Sequence, residues 1–200
     1  MELAPAMTRR SREWGFSLLE LLIVVAIMIT LMSLATPALT SLLESGNLAR
    51  GGQALADEIN LARQLAASQN RVVELRILKN ETPPGYGLLQ VWGTDAGGTN
   101  VPLSRVMKLP QNIVIAENTT LSAAIEKTPT ATMPTNSSMA GRAYTYLRIR
   151  PSGAVDPSLA MSNFFFAVVS SRSATNSALP PNYVTIQVNP LTGTPLVYRP

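Results

Sequence analysis

The sequence predicts an α+β protein, in which a long N-terminal hydrophobic helix is followed by an antiparallel β-sheet head domain. Residues 16–35 are apolar at all but four positions. Residues 46–70 then carry apolar side chains at helical spacing, and from residue 71 onward the apolar period changes to two, as in half-buried strands. One long helix followed by paired strands is the α+β arrangement.

The composition narrows the function classes. The chain has 200 residues, of which 46% are hydrophobic and 14% are charged, so it is not a disordered chain overall. It has no cysteine, which excludes disulfides and thiolate metal sites, and no histidine, which removes the usual general base and the commonest transition-metal ligand. Only 12 aspartate and glutamate residues remain for acid–base chemistry. We therefore expect neither an enzyme nor a cofactor or metal site.

The apolar run has the length of a membrane helix. A spanning helix needs about 20 predominantly apolar residues, whereas the apolar region of a cleavable signal peptide has about 7–15. Arg9, Arg10 and Arg12 precede the run, and basic residues flank the cytoplasmic end of a membrane helix. We expect residues 1–15 in the cytoplasm, a retained single-pass helix over residues 16–45 in the inner membrane, and the head in the periplasm or outside.

A single carboxylate, Glu20, interrupts the apolar run. A charged side chain at the centre of a bilayer costs roughly 2.5–3.5 kcal/mol on insertion scales. Either the carboxylate reaches the membrane interface, because it lies near the start of the helix, or an opposite charge nearby offsets the cost. Glu20 is therefore a candidate functional residue.

The segment GFSLLELLIVVAIM, preceded by a short basic leader, resembles the N-terminus of type IV pilins and type II secretion pseudopilins. The resemblance implies that prepilin peptidase cleaves between Gly15 and Phe16, removes residues 1–15 as a leader peptide and N-methylates Phe16. It also implies that Glu20 takes part in assembly and that Pro37 matches the proline that commonly kinks the pilin helix. The implied partners are prepilin peptidase, other pilin or pseudopilin subunits and an inner-membrane assembly platform.

Such a cleavage would give Glu20 a partner. It would leave a positive amine on Phe16 in an apolar environment, where an opposite charge offsets the cost of burial. In a helical bundle of such subunits, the carboxylate of one subunit can meet the amine of its neighbour. Such a pair favours one axial stagger, as a polar residue does in a coiled-coil core.

Residues 46–70 are predicted to form the amphipathic part of the helix, which ends near Asn70. Gly46 and the Gly51-Gly52 pair lie within it, and each glycine costs about 1 kcal/mol relative to alanine in a helix. The pair marks a bend or a stretch that melts when subunits pack, or else it is a tolerated surface pair. The apolar stripe consists of Leu48, Leu55, Ile59, Ala62 and Ala66.

Residues 71–200 are predicted to form the head. RVVELRIL and YGLLQVWG, joined by the turn cluster NETPPG, predict a hairpin. Further strands are predicted in VPLSRVMKL, NIVIAE, AYTYLRIRPSG, FFFAVVSS, YVTIQVNP and TPLVYRP. Residues 118–141 are rich in threonine, serine, alanine and proline, so we expect a flexible loop there, with a short helix around LSAAIEK.

The order of motifs in the head resembles the minor pseudopilins of the H type, the GspH/FimT family. These motifs are INLARQLAASQNRVVELRI, LPQNIVI, YLRIRPSG and VTIQVNPLTG. The block from SGNLARGGQALADEINLARQLA to LPQNIVI is similar to the Verru_Chthon cassette protein D family of prepilin-like proteins. The resemblance implies a secreted filament component. The sequence lacks the acidic calcium loop of the major pseudopilins and any C-terminal disulfide, which favours a minor subunit.

One predicted strand carries a basic and aromatic stripe. Alternate positions of a strand share a face, and here they hold Arg142, Tyr144, Tyr146, Arg148 and Arg150. Such a face could bind nucleic acid through phosphate contacts and base stacking. The alternative is an ordinary solvated outer face.

Together these features predict a prepilin-like structural subunit, a minor pseudopilin of a type II secretion or type IV pilus-like filament that prepilin peptidase processes. Two alternatives stay open. One is a DNA-binding minor pilin of a competence system, and the other is a membrane-anchored surface protein that does not assemble.

Overall fold

The computed structural model describes residues 17–135, 137–156 and 164–199, with the backbone alone at residues 34–41. The chain divides into two compact units, Met1–Ser41 and Leu42–Pro200. A single helix, α1 (Leu18–Ser68), contributes residues to both units.

The helix α1 ends where the sequence predicts. Asn70 has a φ of +48°, and the N–H of Arg71 donates to the carbonyl oxygen of Ala66 at 3.2 Å. This is the Schellman arrangement, in which a residue in the left-handed region stops the helix and satisfies its last carbonyls. Asparagine tolerates that conformation because its short polar side chain can hydrogen-bond locally.

In the unit Met1–Ser41, the described side chains of α1 are mostly apolar and exposed. Large hydrophobic residues from Leu18 to Met32 expose between 42% and 84% of their surface. The hydroxyls of Thr30 and Ser33 donate to the carbonyl oxygens of Ala26 and Thr30, at 2.6 and 2.8 Å, so the helix itself satisfies them. No helix among the described residues combines the length and the apolar character that crossing a membrane requires.

The unit Leu42–Pro200 adds an antiparallel sheet to the second part of α1, which confirms the predicted α+β class. The elements after α1 are β1 (Val73–Lys79), β2 (Tyr86–Thr94), β3 (Asn100–Pro102), β4 (Met107–Lys108), β5 (Ile113–Ile115), α2 (Ala123–Lys127), β6 (Thr130–Thr132), β7 (Ala143–Ile149), β8 (Phe165–Ser170), a 3₁₀ helix (Ser171–Ser173), β9 (Val184–Val188) and β10 (Pro195–Tyr198). The sheet has 10 strands in the order β10-β9-β8-β5-β2-β1-β7-β6, and β3 and β4 also pair with β2. The predicted hairpin is the β1–β2 pair.

The main core lies between α1 and one face of the sheet. The predicted stripe of α1 is buried there against alternate residues of six strands, among them Leu75, Leu89 and Phe166. A Cβ on Gly51 would lie 2.7 Å from Ile113 Cγ2, and one on Gly52 would lie 2.5 Å from Val184 Cγ1. The prediction of a tolerated surface pair is therefore wrong, because both glycines are buried and let the helix approach β5 and β9 closely.

The opposite face of the sheet is also covered in part. Two smaller hydrophobic clusters form on it, one around Val169 and one around Trp92 and Tyr144. Residues 118–141, predicted as a flexible loop with a short helix, contribute α2, β6 and the buried side chain of Met133. The short helix predicted around LSAAIEK corresponds to α2.

The C-terminal strand β10 is the last strand in the order of the sheet and pairs with β9. The N–H of Asn189 donates to the carbonyl oxygen of Thr194 at 3.0 Å. Counting in steps of two from Thr194, Leu196 and Tyr198 are the residues of β10 whose backbone groups face β9. In an antiparallel pair, alternate residues direct their N–H and C=O groups away from the partner strand. By that alternation, the backbone groups of Pro195 and Val197 point to the free edge.

Candidate functional site

The residues predicted for processing lie at the start of the chain. Gly15 and Phe16 fall outside the described residues, and so does the side chain of Pro37. The backbone of α1 continues through residue 37. Glu20 is described in full, and it is exposed in the first turn of α1.

Ser17 is a residue that the sequence analysis missed. The backbone N–H of Glu20 donates to Ser17 Oγ at 3.2 Å, which makes Ser17 the N-cap of α1. Serine followed three residues later by glutamate is the spacing of a capping box, and this spacing could have identified the pair. The helix therefore begins immediately after the predicted cleavage site, and Glu20 stands at its positive end, where a carboxylate is favourable.

The basic and aromatic stripe belongs to β7 and its ends. Tyr144, Tyr146 and Arg148 lie within the strand, whereas Arg142 and Arg150 flank it. Tyr144 is buried, Tyr146 is half-buried, and Arg148 and Arg150 are exposed. Tyr144, Tyr146 and Arg148 thus share one face of β7, but they differ in how much of each side chain is exposed to solvent.

A buried arginine that the sequence analysis did not single out organises this face. Arg76 on β1 is 2% exposed, and its guanidinium lies 4.1 Å from the ring centre of Trp92 and 4.7 Å from that of Tyr144. Its Nη2 also pairs with Glu74 Oε2 at 2.9 Å. A guanidinium stacked between two aromatic rings and paired with a carboxylate is a satisfied buried charge.

Two arginines of the stripe form ion pairs with carboxylates. Arg148 Nε donates to Glu74 Oε1 at 3.1 Å, and Arg142 Nη2 lies 3.3 Å from Glu81 Oε1. The hydrogen bond to Glu74 raises the pKa of Arg148 above its usual range. Burial raises the pKa of Tyr144 above its usual value.

These contacts bear on the nucleic-acid hypothesis. A phosphate would compete with the half-buried Glu74 for Arg148, and Tyr144 is buried against Arg76. Base stacking needs an accessible aromatic face. Nucleic-acid binding at this surface stays a prediction, and no contact among the described residues favours it.

A second buried charge lies on α1. Glu58 is 8% exposed, and its Oε2 has no hydrogen-bond partner among the described residues. Burial raises the pKa of Glu58, and the neighbouring charge of Asp57 raises it further. Burying this carboxyl group in its ionised form is energetically unfavourable, because desolvation disfavours the charge.

Two solved structures are similar in fold to this chain. No protein-family model and no curated protein matches it. In fold it is similar to the minor pseudopilin EpsH from the type 2 secretion system of Vibrio cholerae, with a TM-score of 0.46 and 12% sequence identity over 77% of this chain and 98% of that chain. It is also similar to the type IV minor pilin FimU of Pseudomonas aeruginosa, with a TM-score of 0.44 and 14% identity over 78% of this chain and 89% of that chain.

Proposed function

We propose that the chain is a prepilin-like structural subunit, a minor pseudopilin of a type II secretion or type IV pilus-like filament. In this proposal prepilin peptidase removes residues 1–15 and methylates Phe16, and the rest of the chain stays in the inner membrane until it assembles. Its role is assembly rather than catalysis. Membership of the H type or of the Verru_Chthon cassette protein D family is part of the same proposal.

The observation that carries the proposal is the sequence GFSLLELL together with the helix that follows it. The helix α1 begins at Leu18 with Ser17 as its cap, immediately after the proposed cleavage site. Its large hydrophobic side chains up to Met32 are exposed. An exposed apolar helix needs a lipid or protein environment, and a subunit that moves from a bilayer into a filament core would have one in both states.

In this proposal Glu20 forms the contact between subunits during assembly. Its carboxylate is exposed among apolar neighbours in the first turn of α1. A new amine on Phe16 of an adjacent subunit would neutralise it in a medium where unpaired charges are costly. The predicted membrane segment, residues 16–45, rests on the sequence, since part of that range lies outside the described side chains.

The N-terminus of the purified chain tests processing. We expect co-expression with an active prepilin peptidase to give a chain that begins at Phe16 and carries one added methyl group, as intact-protein mass spectrometry would show. Co-expression with a catalytically inactive peptidase is the matched control and should leave the leader in place. An intact leader with the active enzyme, or cleavage near Ala38, would contradict the proposal.

A carboxylate variant separates an assembling subunit from an anchored surface protein. We expect Glu20→Ala to leave processing and the folded head unchanged but to lower incorporation into sheared filaments by about tenfold or more, because the neighbouring amine loses its partner. Asp57→Ala, which removes an exposed carboxylate from the same helix, should incorporate normally. Equal incorporation of the two variants would favour the surface protein that does not assemble.

A further inference from the structure

A cleft of about 840 Å³ opens beside the start of β2. Gly87 and Leu88 of β2 line it, together with the turn between β1 and β2. Further lining comes from residues 108–114, which run from the end of β4 into β5, and from Met139 and Arg142. The volume falls within the range of about 300–1,000 Å³ that is typical of ligand sites.

Three side-chain amides line this cleft. Those of Asn80, Gln111 and Asn112 make no hydrogen bond with any residue that the structure describes. The amide of Asn80 packs over Gly87, where a Cβ would lie 2.5 Å from Asn80 Nδ2. The glycine therefore makes room for a hydrogen-bonding group, and the three amides can pair with the C=O and N–H groups of a ligand.

The charge of the cleft is positive. Lys108 is exposed, and no carboxylate among the described residues pairs with it. Arg142 pairs with Glu81, whose side chain is 79% exposed. An exposed ion pair contributes about 0–1 kcal/mol, so a carboxylate from a ligand can replace Glu81 at little cost. Lys108 and Arg142 together can thus receive an acidic group.

The cleft also offers aliphatic surface between its polar groups. Leu88, Pro110, Val114 and Met139 contribute to the lining, and no aromatic side chain does so among the described residues. The lining is therefore complementary to an extended peptide. Its amides can bond the peptide groups, its aliphatic residues can contact the side chains, and its two cations can pair with a carboxylate.

We propose that this cleft binds an extended peptide segment that carries a carboxylate side chain. The amides of Asn80, Gln111 and Asn112 hold the peptide backbone, and Lys108 and Arg142 pair with the carboxylate. The proposal goes beyond filament assembly and would hold equally for a surface protein that does not assemble.

A peptide selection tests the proposal. The full chain is immobilised in detergent and used to select binders from a displayed library of random heptapeptides. We expect the enriched peptides to contain aspartate or glutamate beside aliphatic residues. A fluorescein-labelled enriched peptide should then bind saturably in an anisotropy titration. The same peptide with the carboxylate replaced by its amide should bind about tenfold more weakly, because a charge-assisted hydrogen bond is lost.

Variants of the chain assign the binding to this cleft. Lys108→Glu should weaken binding of the labelled peptide about tenfold or more, whereas Glu81→Gln should tighten it, because Arg142 is then released for the ligand. Arg172→Glu changes an exposed arginine that does not line the cleft and should bind as the unaltered chain does. Circular dichroism of each variant checks that the fold is retained.

Three results would each overturn the proposal. The first is a selection in which acidic peptides are not enriched. The second is equal binding of the acidic peptide and its amide counterpart. The third is equal binding of the acidic peptide by the Lys108→Glu and Arg172→Glu chains.

Discussion

Glu58 shows how a single side chain can make stability depend on pH. The residue is 8% exposed, and one of its carboxyl oxygens lacks a partner among the described residues. Because burial raises its pKa above the unfolded value, the folded chain binds the proton more tightly than the unfolded chain does. The resulting stabilisation is complete below the unfolded pKa and is lost as the pH rises through the folded pKa.

We therefore expect Glu58→Gln to raise the free energy of unfolding at neutral pH by about 1 kcal/mol, since a neutral amide costs less to bury than a carboxylate. The gain should shrink as the pH falls to about 3, below the unfolded pKa of about 4.3, where the native carboxyl group is protonated in both states. Urea unfolding of the full chain in detergent at both pH values measures it. Glu126→Gln, at an exposed carboxylate of α2, is the control, and a loss of stability for Glu58→Gln at neutral pH would contradict the expectation.

Arg76 makes a different kind of contact, because its charge is paired and stacked. Lysine has no planar guanidinium to lie between Trp92 and Tyr144 or to pair with Glu74 through two nitrogens. We expect Arg76→Lys to lower the free energy of unfolding by about 1–3 kcal/mol. Chemical denaturation measures this, with Arg105→Lys at an exposed position as the control. Similar stabilities for the two variants would show that the stacking contributes little.

At the residue scale, the sequence predicted which side chains share a face but not which of them meet. The alternation on β7 placed Tyr144, Tyr146 and Arg148 together, as the structure has them. Glu74 lies opposite Arg148 only because β1 pairs with β7. That pairing joins segments far apart in the chain, and no local pattern in the sequence specifies it.

The helix α1 illustrates how an element can contain residues that lower its own stability. Glycine is a poor helix former, yet Gly51 and Gly52 lie in the middle of α1. Close packing explains them, because Ile113 and Val184 occupy the space where a Cβ would stand. The interaction with the sheet compensates for the low helix propensity.

We expect Gly52→Ala to lower the free energy of unfolding by about 1–2 kcal/mol, because overpacking costs about 1–3 kcal/mol and the gain in helix propensity offsets up to about 1. Gly46→Ala is the matched control in the same helix. A Cβ there would meet no atom within 4 Å, so this variant should be more stable by about 0.5–1 kcal/mol. Thermal or urea unfolding would measure both, and a stabilising Gly52→Ala would contradict the packing explanation.

At the element scale, periodicity identified the long elements well. It predicted the stripe of α1, the β1–β2 hairpin and the helix end at Asn70, because each depends on local pattern or local chemistry. The strand β6 lies in a segment that the sequence predicted as a loop. It has three residues and depends on its pairing with β7, so its own composition carries little strand signal.

The whole molecule has an uneven distribution of buried surface. Among the described residues, every buried hydrophobic side chain belongs to the unit Leu42–Pro200. The first of them along the chain is Leu48. The large apolar side chains of α1 up to Met32 are exposed. The hydrophobic core that stabilises the fold is therefore contained within the second unit.

We expect a chain truncated to residues 42–200 to fold in aqueous buffer without detergent. Its free energy of unfolding should agree with that of the full chain in detergent to about 0.5 kcal/mol, because the truncation removes no buried hydrophobic contact of the described residues. Urea unfolding followed by tryptophan fluorescence would measure it. A markedly lower midpoint for the truncated chain would show that residues before Leu42 contribute to folding.

The order of the 10 strands in the sheet could not be predicted from the sequence. Strand order depends on contacts between distant segments, and several short strands with similar composition can pair in many ways. The α+β class was predictable because it needs only the sequence of elements along the chain.

The free edge of β10 has a consequence for how neighbouring copies can meet. Proline has no N–H, so of Pro195 and Val197, whose backbone groups point outward, only Val197 can donate a hydrogen bond. Another chain that tried to extend the sheet along β10 would find a single donor within this strand, where a regular ladder needs one at every second residue. A neighbouring copy that meets this edge would therefore have to bind mainly through side chains, which form contacts that can release again, rather than through a continuous backbone ladder.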